Sequence, residues 1–215
     1  MIIPTNSLKI VSNLFDDVQR NSLMVGLLAK PGNGKSTLIL ESCKSDYKRV
    51  IVQMSKSKKA IHLYQDIYRQ IRAEQRVTPN DMYELIVEIS EFLVKSNKKY
   101  LVCIDEAGKL RAQHLEYFHE LRENTHGKCG FVFAGPPYFK KNLIKWINNE
   151  RQGMEEFGRR IDEWIELDGP TESEKAAYCR ENGIHDIKTI EKIVYECETF
   201  ADLVTSVKHY LRGKK

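Results

Sequence analysis

Apolar residues recur at helical intervals over residues 6–20, NSLKIVSNLFDDVQR, where Leu8, Val11, Leu14, Phe15 and Val18 share one face. The run SLMVGLL (22–28) is continuously apolar and stops at a glycine-rich turn, after which GKSTLILESCKS reads as a helix. RVIVQM (49–54), YLVCID (100–105) and CGFVFAG (129–135) have the character of strands buried on both faces, and EWIEL (163–167) that of a short fifth strand. Helices are expected around 58–73 and 80–96, the second opened by Thr78-Pro79-Asn80, and over AQHLEYFHELRENT between the third and fourth strands. Tyr64, Tyr68 and Ile71 stand at helical spacing and read as core packing rather than a base-stacking platform.

Strands alternating with helices predict an α/β fold with a five-stranded parallel sheet covered on both faces. After DGP (168–170) the pattern becomes purely helical: TESEKAAYCREN opens with a capping box, Thr171 and Glu174, and helices near 186–197 and 200–212 follow. The boundary falls at Gly169-Pro170. It gives an α/β domain over 1–169, with an N-terminal helix within 1–20, and a small helical domain over 170–215.

Composition narrows the class. Charged residues make up 30% of the chain, but a hydrophobic share of 41% is too high for a disordered polymer. A net charge of +4 is too mild to imply a nucleic-acid partner by itself. The five cysteines, Cys43, Cys103, Cys129, Cys179 and Cys197, are odd in number and contain no CxxC pair, which argues against a disulfide framework or a zinc site and suits a reducing compartment. No stretch approaches the roughly 18 apolar residues of a membrane span, and MIIPTNSLKI lacks a basic flank with an apolar signal core. The expectation is a cytoplasmic protein with no membrane partner.

The chemistry begins at Ala29-Lys30-Pro31-Gly32-Asn33-Gly34-Lys35-Ser36, which fits the pattern of a small residue, four positions, then Gly-Lys-Ser/Thr. Glycines let such a loop curl so that its N–H groups face phosphate oxygens, and the following helix adds its positive end. Lys35 is placed to reach the β- and γ-phosphates of ATP, and the Ser36 hydroxyl to ligate Mg²⁺. Pro31, Gly32, Asn33, Gly34, Lys35, Ser36 and Thr37 are the expected nucleotide contacts. The partner motif is the apolar strand ending in Asp105-Glu106. Asp105 would hold Mg²⁺ beside the loop, and Glu106 would act as general base on the water attacking the γ-phosphate. A water-activating glutamate points to hydrolysis rather than to transfer onto a substrate hydroxyl.

Basic residues supply the remaining candidates. Arg159 and Arg160, just before the fifth strand, read either as a pair closing a helix end or as a group that reaches a neighbouring subunit's γ-phosphate. SKSKK (55–59) puts Lys56, Lys58 and Lys59 at the carboxyl end of the second strand, on the nucleotide-bearing side, where DNA phosphates are one reading and a solvated helix end the other. Lys109 and Arg111 are weaker candidates of the same kind. His114 and His119 are off the spacing that would pair them for metal and read as structural or exposed; LRGKK at the end reads as a solvated tail.

Taken together these motifs resemble AAA+ ATPases, and within them the transposition-helper group typified by the phage Mu B protein and its TnsC and ExeA-like relatives. The anchors are AKPGNGKST, LVCIDEAGKL followed by HLEYFHELRENT, GFVFAG, and EFGRRIDEWIEL followed by GPTESEKAAYCRENGI. The resemblance implies a P-loop NTPase fold of the AAA+ (ASCE) type with a C-terminal helical lid, and Arg160, followed by Ile161-Asp162, as the arginine finger, with Arg159 as fallback. It also implies an ATP-controlled ring or helical filament on duplex DNA in a prokaryotic or phage-encoded system. Such an assembly selects DNA targets and activates a transposase or recombinase. The chain departs from that pattern in three places: Ala134-Gly135-Pro136-Pro137 offers no clear polar residue after the fourth strand, Asp202 stands near a position often held by arginine, and a separate N-terminal DNA-binding domain is missing. A loader or remodeller of another protein, a small-molecule kinase and a non-hydrolysing ATP-binding scaffold are the alternatives.

Overall fold

The segments 24–29, 100–105 and 129–135 are buried at every position, which requires strands covered on both faces. The computed structural model, which describes residues 5–43, 48–72, 77–125 and 127–213, arranges them that way. β1 (Met24–Ala29), β2 (Arg49–Gln53), β3 (Tyr100–Asp105), β4 (Cys129–Gly135) and β5 (Glu163–Leu167) form one sheet in the order β2-β3-β4-β1-β5. Every neighbouring pair is parallel, so all five carboxyl ends lie along one edge.

Side chains two apart along a strand face the same way, and the two faces carry separate cores. Val25, Leu27, Leu101, Cys103, Val132 and Ala134 pack under α1 (Asn6–Asn21) and α2 (Lys35–Cys43). Met24, Leu28, Val102, Ile104, Phe131 and Phe133 pack under α3 (Ala60–Arg72), α4 (Met82–Lys95), α5 (Ala112–Asn124), α6 (Tyr138–Asn148) and α7 (Met154–Arg159). Phe118 of α5 is the hub of the second face, its ring 4.8 Å from that of Phe133 and 5.2 Å from that of Tyr64. Tyr64, Tyr68 and Ile71 are buried there, as their spacing predicts.

α8 (Glu172–Glu181), α9 (Ile187–Glu196) and α10 (Phe200–Gly213) close around a third core that includes Cys179, Ile184, Ile190, Ile193, Leu203 and Val207. Thr171 and Glu174 form the expected capping box at the start of α8. Glu174 also accepts the backbone N–H of Asn6 at 2.7 Å, which joins the start of α1 to this helical group. None of the five cysteines is in a disulfide, and all are buried. No helix among the described residues is long and apolar enough to cross a membrane.

The differences from the sequence reading lie at element ends and in one connection. The first strand starts at Met24 rather than residue 22, because Ser22 closes α1 in the left-handed conformation with φ 56°. The cap of α4 is Asp81, whose carboxylate accepts from Glu84 N–H, and not the Thr78-Pro79-Asn80 signal. α6 and α7 fill a stretch that carries no element in the sequence reading, although Phe139 and Leu143 at i, i+4 after two prolines are a readable helix signal. The expected ends of α2 at 44–45 and of α3 at 73, and the final two lysines, lie outside the described residues.

Gly130 sets how closely α1 meets the sheet: a β-carbon there would lie 2.3 Å from the main-chain oxygen of Val18, and backbone has little room to give. Gly130→Ala is expected to destabilise the fold by about 1–3 kcal/mol, read as a lower urea midpoint with an unchanged slope.

Candidate functional site

The site is built where the carboxyl ends of β1 and β3 meet, with β4 between them. The turn after β1 passes through Gly32 at φ 87° and Gly34 at φ 71°, a region in which a side chain would strain the backbone. α2 then starts at Lys35, so the loop ends at a helix N-terminus whose first N–H groups lack intrahelical partners. From β3, the Asp105 carboxylate is 3% exposed and accepts from three donors. Ser36 Oγ is at 2.6 Å, Glu106 N at 2.7 Å and Lys35 Nζ at 3.3 Å. A buried carboxylate needs such partners to remain charged in low dielectric.

The fold thus brings Lys35, Ser36 and Asp105 into one cluster. The hydroxyl and carboxylate oxygens are hard donors of the kind that suits magnesium. The Lys35 ammonium and the loop N–H groups suit phosphate oxygens. Asn33, 5% exposed, buries a side-chain oxygen that has no partner within the protein. Thr37, Pro31 and Gly32 are exposed on the rim.

Glu106 follows Asp105 in the left-handed conformation, φ 59° and ψ 38°, uncommon for a residue with a side chain and enriched at functional turns. It opens a short 3-10 turn, Ala107–Lys109, and its carboxylate lies 3.3 Å from the Lys109 ammonium.

The helical group reaches the phosphate-type loop directly. Ala201 N–H donates to Gly32 O at 3.0 Å, and a β-carbon on Gly32 would come within 2.8 Å of the Thr199 hydroxyl. Thr199 and Asp202 cap each other at the start of α10: Asp202 accepts from Thr199 N–H and hydroxyl, and Thr199 Oγ1 accepts from Asp202 N–H. These bonds hold the Asp202 carboxyl below its ordinary range. A cavity of roughly 120 Å³ lies between Lys30 and Asn33 of the loop, Glu166 in β5 and Asp168 after it, and Glu198 and Thr199. The sequence reading missed this seam, although Thr-x-x-Asp before an apolar run is a readable cap.

The basic candidates have unequal surroundings. Lys56 and Lys59 are exposed, whereas Lys58 is held by Asp66 at 2.7 Å and by Gln53 O at 2.6 Å. Arg111 donates to Lys56 O at 3.1 Å. His114 is buried and structural: Nδ1 accepts from Arg111 N–H at 2.8 Å, which leaves Nε2 as the N–H that meets Lys58 O at 3.1 Å. His119 instead lies 3.6 Å from Glu123, and no cluster of metal-type ligands occurs among the described residues. Arg160 is tied to the Glu123 carboxylate and donates to Glu156 O at 3.1 Å. That contact keeps the Glu123 carboxyl below its usual range. Arg159 is exposed.

A parallel sheet with a glycine-rich loop leading from β1 into α2 and an acidic pair ending β3 defines a P-loop NTPase fold of the AAA+ kind. The sequence pattern of the AAA domain family matches residues 19–143, more than half of the chain, and the protein belongs to that family. No protein of curated function matches it. Among solved structures, the Aeropyrum pernix ORC2 protein with ADPNP and ADP is similar at TM-score 0.69 and 13% identity, covering 96% of this chain and 62% of that one. Cdc6p from Pyrobaculum aerophilum is similar at TM-score 0.66 and 14% identity, over 93% of this chain and 58% of that one. The Aeropyrum pernix ORC1 protein in complex with DNA is similar at TM-score 0.66 and 12% identity, over 99% and 61% respectively. The chain therefore spans about three fifths of the length of these proteins.

Burial is the main cause that holds the His114 imidazole below its ordinary value, against the opposing effect of its bonds to Lys58 and Arg111. As pH falls below about 6.5 the unfolded chain takes up this proton first. The stability that His114 contributes is therefore complete above that pH and declines below it, until the folded imidazole titrates too. An NMR titration is expected to place the His114 midpoint below 6.5, and His114→Asn to flatten the fall of the urea midpoint between pH 7 and 5.

Proposed function

We propose that the protein is a Mg·ATP-dependent switch that hydrolyses ATP, self-associates, and acts on duplex DNA. The observation that carries this reading is the convergence of Lys35, Ser36 and Glu106 N on the buried carboxylate of Asp105. Pro31, Gly32, Asn33, Gly34, Lys35, Ser36 and Thr37 would cradle the triphosphate, the residues other than proline through their main-chain N–H groups. Ser36 and Asp105 would hold magnesium, which when bound neutralises charge on the β- and γ-phosphates. Glu106 would take the proton of the attacking water as the new O–P bond forms at the γ-phosphorus and the bond to the β–γ bridging oxygen breaks.

Of the two arginines proposed for the neighbouring subunit's site, Arg160 would first have to leave Glu123. Arg159 is already exposed, and the geometry favours it for that role. Lys56 and Lys59, with Arg111 beside them, are the proposed contacts to DNA phosphates, while Lys58 supports their loop. Within this class, the anchoring motifs favour a target-selection factor that activates a transposase or recombinase. The division at Gly169-Pro170 is part of the same proposal: residues 170–215 act as a lid, supported by the bond from Ala201 to Gly32.

Lys35→Ala is expected to weaken ATP binding by roughly one to two orders of magnitude in calorimetry. Glu106→Gln is expected to keep that affinity and cut phosphate release roughly 10²–10⁴-fold. Full release by Glu106→Gln, or undiminished binding by Lys35→Ala, would sink the proposal. Arg159→Ala is expected to leave ATP binding intact and lower turnover only in assembled protein, with Arg160→Ala near wild type. Electron microscopy with duplex DNA should show large assemblies with ATP and not with ADP, their DNA affinity falling steeply with salt.

A further inference from the structure

The amino edge of the sheet holds a second concentration of charge, about 20 Å along the strands from the phosphate-type loop. A cleft of roughly 510 Å³ opens there. It is lined by Asp16 and Arg20 of α1, Lys48 just before β2, Arg49 as the first residue of β2, and Lys98 and Lys99 ahead of β3. The lining carries five cations against one carboxylate, and among the described residues no aromatic or aliphatic side chain takes part in it.

One residue braces the walls. Arg49, its side chain 6% exposed, donates from Nε to Gln19 Oε1 at 2.8 Å and from Nη1 to Ser42 O at 2.7 Å, and its Nη2 pairs with the Asp16 carboxylate. Gln19 Nε2 in turn donates to Lys99 O at 3.1 Å, and Lys99 Nζ to Arg20 O at 2.6 Å. Lys48 is buried, and its main-chain oxygen accepts from Leu101 N–H at 3.0 Å. The end of α1, the start of β2 and the approach to β3 are therefore bonded into one concave body. Its single carboxylate is already engaged by Arg49, while Arg20, Lys98 and Lys99 are exposed along the rim.

We propose that this cleft is an anion site for a soluble ligand that carries several adjacent phosphate groups. The proposal is independent of the ATPase reading, because no residue of the phosphate-type loop lines the cleft. Cations gathered in a concave wall focus the field and raise the local concentration of anions. The volume falls within the range of about 300–1,000 Å³ that seats small ligands. A lining without apolar or aromatic walls offers no hydrophobic anchor, so recognition falls on charge. A single-stranded nucleic acid is disfavoured for the same reason, since its sites pair a basic groove with aromatic platforms for the bases. A duplex could touch only the rim, whereas a compact ligand reaches the floor at Lys48. Cations spread from Arg20 to Lys98 favour phosphates side by side over a single phosphate, because each added phosphate gains its own charge-assisted bonds. The braces through Arg49 and Gln19 fix the walls beforehand, which leaves only the rim side chains to be ordered on binding.

The test is calorimetric titration of the whole chain with inorganic tripolyphosphate, without magnesium, on a Lys35→Ala background that weakens the phosphate-type loop. Adding Arg20→Ala with Lys98→Ala is expected to lower the affinity about tenfold, and Arg20→Lys with Lys98→Arg to restore it. Removing the same charge elsewhere, by Lys141→Ala with Lys145→Ala on α6, is expected to change it by less than about twofold, because screening confines the effect to near neighbours. Orthophosphate should bind at least about tenfold more weakly than tripolyphosphate. In an NMR titration the backbone amides of Lys48, Arg49 and Lys99 should move with tripolyphosphate. Equal losses from the rim pair and the α6 pair would reduce the cleft to diffuse surface charge and overturn the site. Shifts confined to residues 30–37 would overturn it too. A random-sequence duplex DNA whose binding depends on Arg20 and Lys98 more strongly than that of tripolyphosphate would overturn the small ligand in favour of nucleic acid.

Discussion

The buried carboxylate of Asp105 is the interaction on which the site depends. It lies on β3, while the groups that satisfy it come from the loop after β1, and β4 runs between the two strands. Only a parallel sheet puts both carboxyl ends on the same edge, and only a sheet buried on both faces makes that carboxylate costly to leave unpaired. Lys35, Ser36 and the Glu106 amide converge because the alternative is an uncompensated charge in the core. One demand thereby fixes the phosphate-type loop, the first turn of α2 and the orientation of Glu106.

A second constraint comes from the helical group. The bond from Ala201 N–H to Gly32 O and the seat of Thr199 over Gly32 couple the loop to α10, and Glu174 ties the same group to the start of α1. A backbone hydrogen bond of this kind contributes about 1 kcal/mol net. Charge-assisted bonds to several phosphate oxygens are stronger, so under the proposed function a triphosphate on the loop would act on α8, α9 and α10 through this contact. Nucleotide state would then reach any surface that those helices present to a neighbouring copy.

The basic unit at the ends of β2 and β3 shows why overall charge is a poor guide to where anions bind. The chain's net charge of +4 is modest, yet residues 55–59 and 107–114 carry five cations and no carboxylate, and buried His114 locks the two segments together. Lys58 is spent internally on Asp66 and Lys109 lies against Glu106, which leaves Lys56, Lys59 and Arg111 as the outward charges.

The local signals were sufficient for all of the strands and for the helices other than α6 and α7. Continuous apolar runs buried on both faces, a glycine loop between strand and helix, and the Thr171–Glu174 box are short-range patterns, and each of them stands in the fold. α6 and α7 had a weaker local pattern, because α6 buries only Phe139 and Leu143 and leaves Tyr138 and Ile144 exposed. The residue types of the loop and of the acidic pair were legible too, since phosphate and magnesium chemistry requires them in that order. What the sequence could not decide is which charges face one another. Arg160 rather than Arg159 is bound to Glu123, Lys58 rather than Lys56 is bound to Asp66, and Asn33 lies under Gly169 with an oxygen unsatisfied. Spacing along a chain sets direction within one element, whereas pairing between elements depends on sheet order and on which buried charge most needs a partner.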